Sequence, residues 1–287
     1  MKIDSKTRFS IIVLISGWFI LFGVIPLVLL VITSFLTMDP ANLVRLSFSL
    51  KAYSQLLIDP SYIIVFIRSV KLALITTLLC LGLGYPFAWY TARMPPRWRT
   101  SVLVLLMIPF WTNSLVRTYA MRMVLGTQGI LNKALLSLGF IHTPLRIMYT
   151  DYAVVAGLFY LMLPFMVLPL YATIEKLNFQ LVEAARDLGA GAASAFIKVI
   201  FPLTLPGIMA GCVMVFVPTM GLFYVASLLG GARQLLVGNL IQQQFLNARN
   251  WPLGSATSIV LIIFMAVMLI GYGLLLRRFG RGKGISG

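Results

Sequence analysis

Residues 183–202 read EAARDLGAGAASAFIKVIFP and interrupt an otherwise strongly apolar chain. Charged side chains, two adjacent alanines and a helix-stopping glycine have little use inside a bilayer. They suit a short helix that lies outside the membrane and docks into another protein. The stretch therefore predicts a membrane protein that works as one part of a larger assembly.

The rest of the chain has the composition of an integral membrane protein. Of its 287 residues, 60% are hydrophobic and only 10% are charged, whereas a soluble domain carries roughly a quarter charged residues. Apolar runs of about 20 residues cross a bilayer as helices. A β-barrel is excluded because its strands would alternate apolar and polar residues. The sequence predicts an all-α protein with one transmembrane domain over residues 1–287 and six spans, at 10–35, 68–92, 101–122, 151–172, 205–226 and 254–276.

The net charge of +16 does not indicate a nucleic-acid-binding protein. The basic residues lie in loops and at span ends, where membrane proteins place them. Thirteen of the 23 Lys and Arg residues fall on the side of the amino terminus and ten on the other side. The short basic loop at 93–99 and the basic tail agree with this bias. We therefore expect both termini in the cytoplasm.

The connection at 173–205 is the longest one on the expected cytoplasmic side. Its apolar residues recur at helical spacing and form one stripe: Leu177, Leu181, Ala184, Ala185 and Leu188. Asn178 is the expected N-cap, and Gly189 is the expected stop in the left-handed conformation. A second short helix is expected over 193–200, before Pro202.

The charges of this helix favour a protein over a lipid surface as its partner. Surface-bound amphipathic helices are usually rich in Lys and Arg, whereas this one carries Glu183 and Asp187. The pair Ala184 and Ala185 permits close approach of a partner. We expect Glu183, Arg186 and Asp187 to supply polar contacts at the rim of that contact.

The spacing within this segment resembles the coupling motif of ABC importer permeases. That motif reads Glu-Ala-Ala, three residues, Gly, nine residues, apolar-x-apolar-Pro. This family more often carries Ile and Leu where the chain has Val199 and Phe201, which keeps the apolar character. The resemblance implies that a cytoplasmic ATPase docks on these residues: Glu183, Ala184, Ala185, Arg186, Asp187, Gly189 and Pro202.

A finer resemblance covers nearly the whole chain. The segments GYPFAW at 84–89, PFWTNSL at 109–115, MGLFYV at 220–225 and WP at 251–252 are similar to the B-type permeases of spermidine/putrescine ABC importers. The resemblance implies a type I importer permease fold, ATP-driven polyamine import and the inner membrane of a bacterium. The implied partners are a homologous second permease, an ATPase dimer that holds ATP and Mg²⁺, a periplasmic polyamine-binding protein and membrane lipid.

A polyamine is a flexible polycation, yet none of the seven acidic residues lies near the middle of a predicted span. The chain instead offers aromatic faces, which attract cations, and neutral dipoles. At about 1.5 Å per residue, Trp111 lies roughly 15 Å into the third span, beside an expected kink at Pro109. We expect the path to be lined by Trp111, Thr112, Asn113, Tyr160, Phe223 and Tyr224. Each of these aromatics also fits an ordinary core or interfacial position.

Other functions stay open at this point. A permease for an anion or another small solute fits the same motif. A stand-alone secondary transporter would carry paired intramembrane charges or internal repeats, and it would leave the coupling helix without a task. An enzyme is not expected because the sequence shows no catalytic set, metal cluster or phosphate loop, so no catalytic residue, metal site or bound cofactor is predicted for this chain.

Overall fold

A computed structural model of the protein describes residues 5–39, 43–231 and 234–281. Nearly all regular structure in these ranges is helical, as expected from the sequence. One short hairpin was not predicted: β1 (Thr37–Asp39) pairs antiparallel with β2 (Leu43–Arg45). The α-helices are α1 (Ser5–Phe19), α2 (Ile25–Ser34), α3 (Lys51–Ile58), α4 (Pro60–Arg93), α5 (Pro96–Met107), α6 (Ser114–Leu125), α7 (Ile130–Ser137), α8 (Asp151–Ile174), α9 (Gln180–Asp187), α10 (Ala192–Ala195), α11 (Phe201–Gly221), α12 (Phe223–Val225), α13 (Val237–Leu246) and α14 (Trp251–Arg281).

Several helical segments in the described ranges are long and apolar enough to cross a membrane. Five meet this test by themselves: Ile11–Ser34, Pro60–Arg93, Asp151–Ile174, Ala192–Gly221 and Trp251–Leu274. A sixth span exists if the bent pair Pro96–Trp111 and Ser114–Ser137 crosses as one. The predicted spans at 10–35, 151–172 and 254–276 agree to within three residues with the segments Ile11–Ser34, Asp151–Ile174 and Trp251–Leu274.

The predicted third span at 101–122 contains a sharp bend, since Pro96–Trp111 and Ser114–Ser137 meet at 95°. A 3₁₀ turn, Ile108–Trp111, follows α5 and contains Pro109, which has no backbone N–H to donate. Thr112 is extended, with ψ of 150°. Asn113 then begins α6, since its side-chain oxygen accepts the N–H of Leu115 at 2.8 Å. A kink was expected at Pro109, but the observed break also needs the new cap at Asn113.

The fifth span also differs from its prediction at both ends. The short helix expected over 193–200 is instead the start of the continuous segment Ala192–Gly221. A π-helical turn, Phe196–Ile200, precedes Pro202, and its wider hydrogen-bond spacing accommodates a residue without an N–H. Pro202 therefore lies in the first turn of α11. The coupling connection is correspondingly shorter than the predicted 173–205, and the span ends at Gly221 rather than at 226.

The second span starts earlier than the predicted residue 68. It begins at Pro60, where a proline is tolerated because the first helical N–H groups have no intrahelical partner. The carboxylate of Asp59 accepts the N–H of Ser61 at 2.9 Å and caps this start. The Ile58-Asp59-Pro60 turn thus leads directly into the helix.

The chain divides into two compact units, residues 1–64 with 240–265 and residues 65–239 with 266–287. In the first unit, Ala52, Leu56, Leu253 and Ala256 form a buried cluster. The expectation of one permease domain over residues 1–287 stays a prediction.

The core of the second unit is built around α8, which packs closely against α11. Two glycines of α11 permit this approach. A Cβ at Gly211 would lie 2.6 Å from the sulfur of Met166, and a Cβ at Gly207 would lie 2.9 Å from the carbonyl oxygen of Pro169. The GxxxG pair therefore serves helix packing within this chain, as small residues at this spacing do in membranes.

Candidate functional site

The helix α9 turns one side toward the chain and the other side outward. Val182 is only 5% exposed and joins Ala195 and Ile200 in a small core. Leu181 is 49% exposed and Leu188 is 88% exposed. Much of the predicted apolar stripe is therefore uncovered in this chain, which suits a helix that docks into a partner.

A side-chain hydrogen bond lies at the start of α9, and a left-handed turn ends it. Asn178 was expected as the N-cap, but the helix begins at Gln180 and Asn178 accepts the N–H of that residue at 3.0 Å. Gly189 has a φ of +84°, so the predicted left-handed stop is confirmed. The N–H of Ala190 donates to the carbonyl of Ala185 at 3.0 Å across this turn, which satisfies an orphan carbonyl at the helix end.

Five of the seven predicted coupling residues lie on α9, and all five are at least partly exposed. Glu183, Ala184, Arg186 and Asp187 are exposed and Ala185 is half-buried. None of the three charged groups forms an ion pair with another residue in the described part of the chain. Gly189 follows the end of α9, and Pro202 lies on α11.

Contacts of two arginines support this end of the molecule, and the sequence indicated only their place in a basic loop. The guanidinium of Arg99 lies 3.0 Å from the carboxylate of Glu175 and so joins α5 to the end of α8. The guanidinium of Arg93 lies 4.3 Å from the ring centroid of Trp89 and 5.1 Å from that of Phe179. Phe179 directly precedes α9, so this stack ties the helix to the end of α4.

The break in the third membrane segment carries three of the predicted path residues. Trp111 is 83% exposed, and Thr112 and Asn113 are also exposed. Both polar side chains hold the break itself. The hydroxyl of Thr112 donates to the carbonyl of Pro109 at 2.7 Å, and Asn113 caps α6.

An unpredicted buried cation lies next to this break. Arg117 is 9% exposed, and its guanidinium lies 4.5 Å from the ring centroid of Phe110. Its Nε and one terminal nitrogen have no hydrogen-bond partner among the described residues. Phe110 also packs edge-on against Phe165 of α8, with ring centroids 5.3 Å apart. Nothing in the local sequence distinguishes Arg117 from an exposed loop arginine.

The fifth membrane segment has a second break, which carries two more predicted path residues. Helix α11 ends at Gly221, Leu222 has a ψ of 63°, and α12 begins at Phe223. Asn239 stabilises this irregular backbone, because its amide donates to the carbonyl of Phe223 at 2.9 Å and to the hydroxyl of Ser227 at 2.7 Å. The rings of Phe223 and Tyr224 lie 6.0 Å apart, edge to face.

The two breaks are neighbours, since α6 packs against α12. The structure therefore places five of the six predicted path residues at breaks whose following helices touch. The sixth, Tyr160, lies half-exposed within α8. Irregular backbone at membrane depth is tolerated where it is buried in protein or lines a cavity. The assignment of these residues to a path stays a prediction.

Neither region offers a metal site. No group of three or more His, Cys, Asp or Glu side chains close enough to hold a metal ion occurs within residues 5–39, 43–231 and 234–281. The two breaks offer aromatic faces and neutral hydrogen-bonding groups.

Comparison with known proteins shows that the sequence matches a known family. The model of the family described as "Binding-protein-dependent transport system inner membrane component" matches residues 84–282. The spermidine/putrescine transport system permease protein PotB of Salmonella typhimurium (strain SL1344) is 54% identical over 272 residues, which are 95% of this chain and 94% of that protein. The protein of the same name from Escherichia coli (strain K12) is 55% identical over 91% of this chain and 94% of its own length.

Solved structures show a similar fold. A chain of a bacterial alginate ABC transporter, crystallised with an alginate-bound periplasmic protein, matches with a TM-score of 0.77 at 14% identity over 94% of each chain. A chain of the MetNI methionine ABC transporter in an inward-facing conformation matches with a TM-score of 0.56 at 13% identity over 77% of this chain and 99% of that one.

Proposed function

The chain belongs to the family of inner-membrane components of binding-protein-dependent transport systems, and we propose that it is a permease subunit of an ATP-driven importer of spermidine and putrescine. The substrate is supported by relatives that carry this name at 48–55% identity over at least 91% of the chain. The family match includes α9 and both helix breaks.

The observation that carries the ATP-driven part of the proposal is the outward side of α9. A short helix with exposed leucines, two small residues and unpaired charges is a docking surface that its own chain leaves uncovered. The partner in this proposal is one copy of a cytoplasmic ATPase dimer, which holds ATP and Mg²⁺. This chain supplies no catalytic residue and no cofactor. Nucleotide-driven closure of the dimer would move α9 and, through the stack of Arg93 on Phe179 and Trp89, the end of α4.

The two helix breaks are the proposed lining of this chain's part of the path. A homologous second permease supplies the remainder. The carboxylates nearest the ends of α8 are already paired, since Asp151 lies 2.7 Å from Arg68 and Glu175 lies 3.0 Å from Arg99. A passing polycation would therefore meet the aromatic faces of Trp111, Tyr160, Phe223 and Tyr224. Each such contact contributes about 0.5–2 kcal/mol, which attracts the cation without retaining it.

In this proposal the protein lies in the inner membrane of a bacterium, with both termini and α9 in the cytoplasm. A periplasmic polyamine-binding protein delivers the substrate on the other side. The external loops carry a net positive charge, which disfavours direct capture of free polyamine. The binding protein therefore captures the substrate.

Uptake of radiolabelled compounds tests this function. Cells that lack their own polyamine importers would express the chain with its partner permease, ATPase and binding protein. We expect uptake of putrescine or spermidine that requires the ATPase, and no uptake of sulfate. Sulfate uptake would assign the chain to anion transport. Polyamine uptake by the chain without the ATPase would assign it to secondary transport.

A further inference from the structure

A groove of ≈ 370 Å³ lies at the end of α4, beside α9 and the start of the fifth membrane segment. All of its lining residues belong to the unit formed mainly by residues 65–239. They are Tyr85, Pro86, Trp89, Tyr90, Arg93, Arg186, Ala192, Phe196 and Ile200. The groove therefore combines aromatic and aliphatic walls with two cations, and no acidic residue lines it.

The two arginines are available to an anion. Neither Arg93 nor Arg186 forms an ion pair within the described ranges of the chain. The guanidinium of Arg93 stacks over Trp89 and Phe179. A stacked guanidinium is positioned by its face, so its in-plane N–H groups remain free to bind a phosphate by two parallel hydrogen bonds.

The apolar wall of the groove is held in place by contacts behind it. The rings of Tyr85 and Phe196 lie 5.8 Å apart, edge to face. The hydroxyl of Tyr85 lies 3.2 Å from that of Thr204 on α11. Trp89 and Phe179 form a second edge-to-face pair, with ring centroids 6.0 Å apart. One ligand that bears an anionic head and an apolar body would match this pre-formed arrangement.

The groove also lies where lipid headgroups are found. Helix α4 has 34 residues and a length of about 51 Å, which exceeds the roughly 30 Å hydrocarbon core. Arg93 is its last residue, and Trp89 and Tyr90 lie one turn before it. Trp and Tyr belts followed by basic residues mark the boundary between membrane and water. Basic pockets between membrane helices at this level bind anionic headgroups.

We propose that this groove binds an anionic phospholipid, with its phosphate on Arg93 and Arg186 and an acyl chain along Pro86, Tyr90 and Phe196. Because Arg93 belongs to α4 and Arg186 to α9, the bound lipid bridges the membrane helix and the docking helix. The inference rests on the proposed function only in assigning the groove to the inner leaflet and α9 to the ATPase.

Lipid retention by the assembled complex tests the proposal. The whole complex would be reconstituted in nanodiscs of phosphatidylcholine with a photoactivatable phosphatidylglycerol, and the retained and cross-linked lipid measured by mass spectrometry. We expect cross-links on the peptides of the groove. Arg93→Gln should weaken retention about fivefold, since each basic residue near the surface contributes about 1 kcal/mol. Arg97→Gln is the matched control, because Arg97 is an exposed arginine of the same basic segment outside the groove.

Three results would overturn the lipid site. The first is equal retention of phosphatidylglycerol and phosphatidylcholine. The second is an equal loss in Arg93→Gln and Arg97→Gln, which would reduce the effect to general surface charge. The third is a photo-cross-linker at position 90, which lines the groove and leaves both arginines in place, that reacts with an ATPase segment instead of lipid; the groove would then be a protein-docking site. Because retention is measured without substrate, failure of polyamine uptake would overturn the proposed function and leave this measurement intact.

Discussion

Helix α9 and the two helix breaks both expose residues that the rest of the chain leaves uncovered, but their construction differs. Helix α9 is regular, seated on Val182 and closed by a left-handed glycine. The breaks at Thr112–Asn113 and at Leu222 have irregular backbone that is held by side-chain hydrogen bonds. The first arrangement presents a fixed surface. The breaks place irregular backbone beside aromatic rings. A change of conformation there costs few helical hydrogen bonds.

The comparison separates two kinds of transport defect. Changes on α9 should reduce the coupling of ATP hydrolysis to transport and leave substrate affinity unaltered. Changes at the breaks should alter substrate affinity or the closing of the path and leave ATPase binding intact. Measuring the maximal uptake rate, the half-saturating polyamine concentration and ATPase co-purification together distinguishes these outcomes.

The largest effect is expected for Glu183→Lys. Charge reversal on a docking surface sets a like charge against the partner's group, which costs about 2 kcal/mol or more, roughly 30-fold in affinity. We expect ATPase co-purification and the maximal uptake rate to fall together, with membrane insertion and half-saturation unchanged. Lys176→Glu is the control, because it reverses an exposed charge just outside α9. Normal uptake by Glu183→Lys would remove α9 from coupling.

A smaller effect on the same side of the comparison is expected for Gly189→Ala. No atom of the described residues lies within 4 Å of the added Cβ, but the φ of +84° strains a residue with a side chain by about 1–2 kcal/mol. The end of α9 should fray and the maximal uptake rate should fall about tenfold or less. Gly191→Ala adds the same methyl group into open space at a φ of −62°, so it should transport normally. Equal losses in both variants would show that added bulk, and not the left-handed turn, is responsible.

The residues changed in these two variants lie in a region whose structure could largely be predicted from the sequence. Gly189, the short helix before it and most spans follow from local signals, namely a helix-stopping glycine and long apolar runs. The 95° bend does not, because Pro109 alone predicts a kink, while the break also contains the extended Thr112 and adjoins Phe110, which packs against Phe165 of another helix. The stack of Arg93 on Phe179 joins residues far apart in the chain, so no local sequence pattern predicts it. Tertiary contacts decide these features.

At the helix breaks, Trp111→Ala should weaken the attraction between the path and a cationic substrate. Removal of one aromatic face costs about 1 kcal/mol, so the half-saturating polyamine concentration should rise about fivefold. ATPase co-purification should be unchanged. Trp98→Ala is the control, because it removes another exposed tryptophan, at the start of α5. Unchanged uptake kinetics would exclude Trp111 from the path, and loss of the ATPase would contradict the separation of the two regions.

The smallest effect is expected for Asn113→Ala, which removes the cap of α6 and leaves every aromatic side chain in place. The N–H of Leu115 then loses its partner at 2.8 Å, and a lost cap costs about 1 kcal/mol. Because the break is irregular already, this energy should shift the balance between its conformations without unfolding the segment. Asn113→Ser or Asn113→Asp should restore normal uptake, since both residues also cap helices. Hydrogen exchange in the complex should show faster opening at residues 114–118 in Asn113→Ala alone. Faster exchange at α9 as well would show that the break and α9 are coupled. Opening at the break would then destabilise α9 although the stack of Arg93 on Phe179 is unchanged.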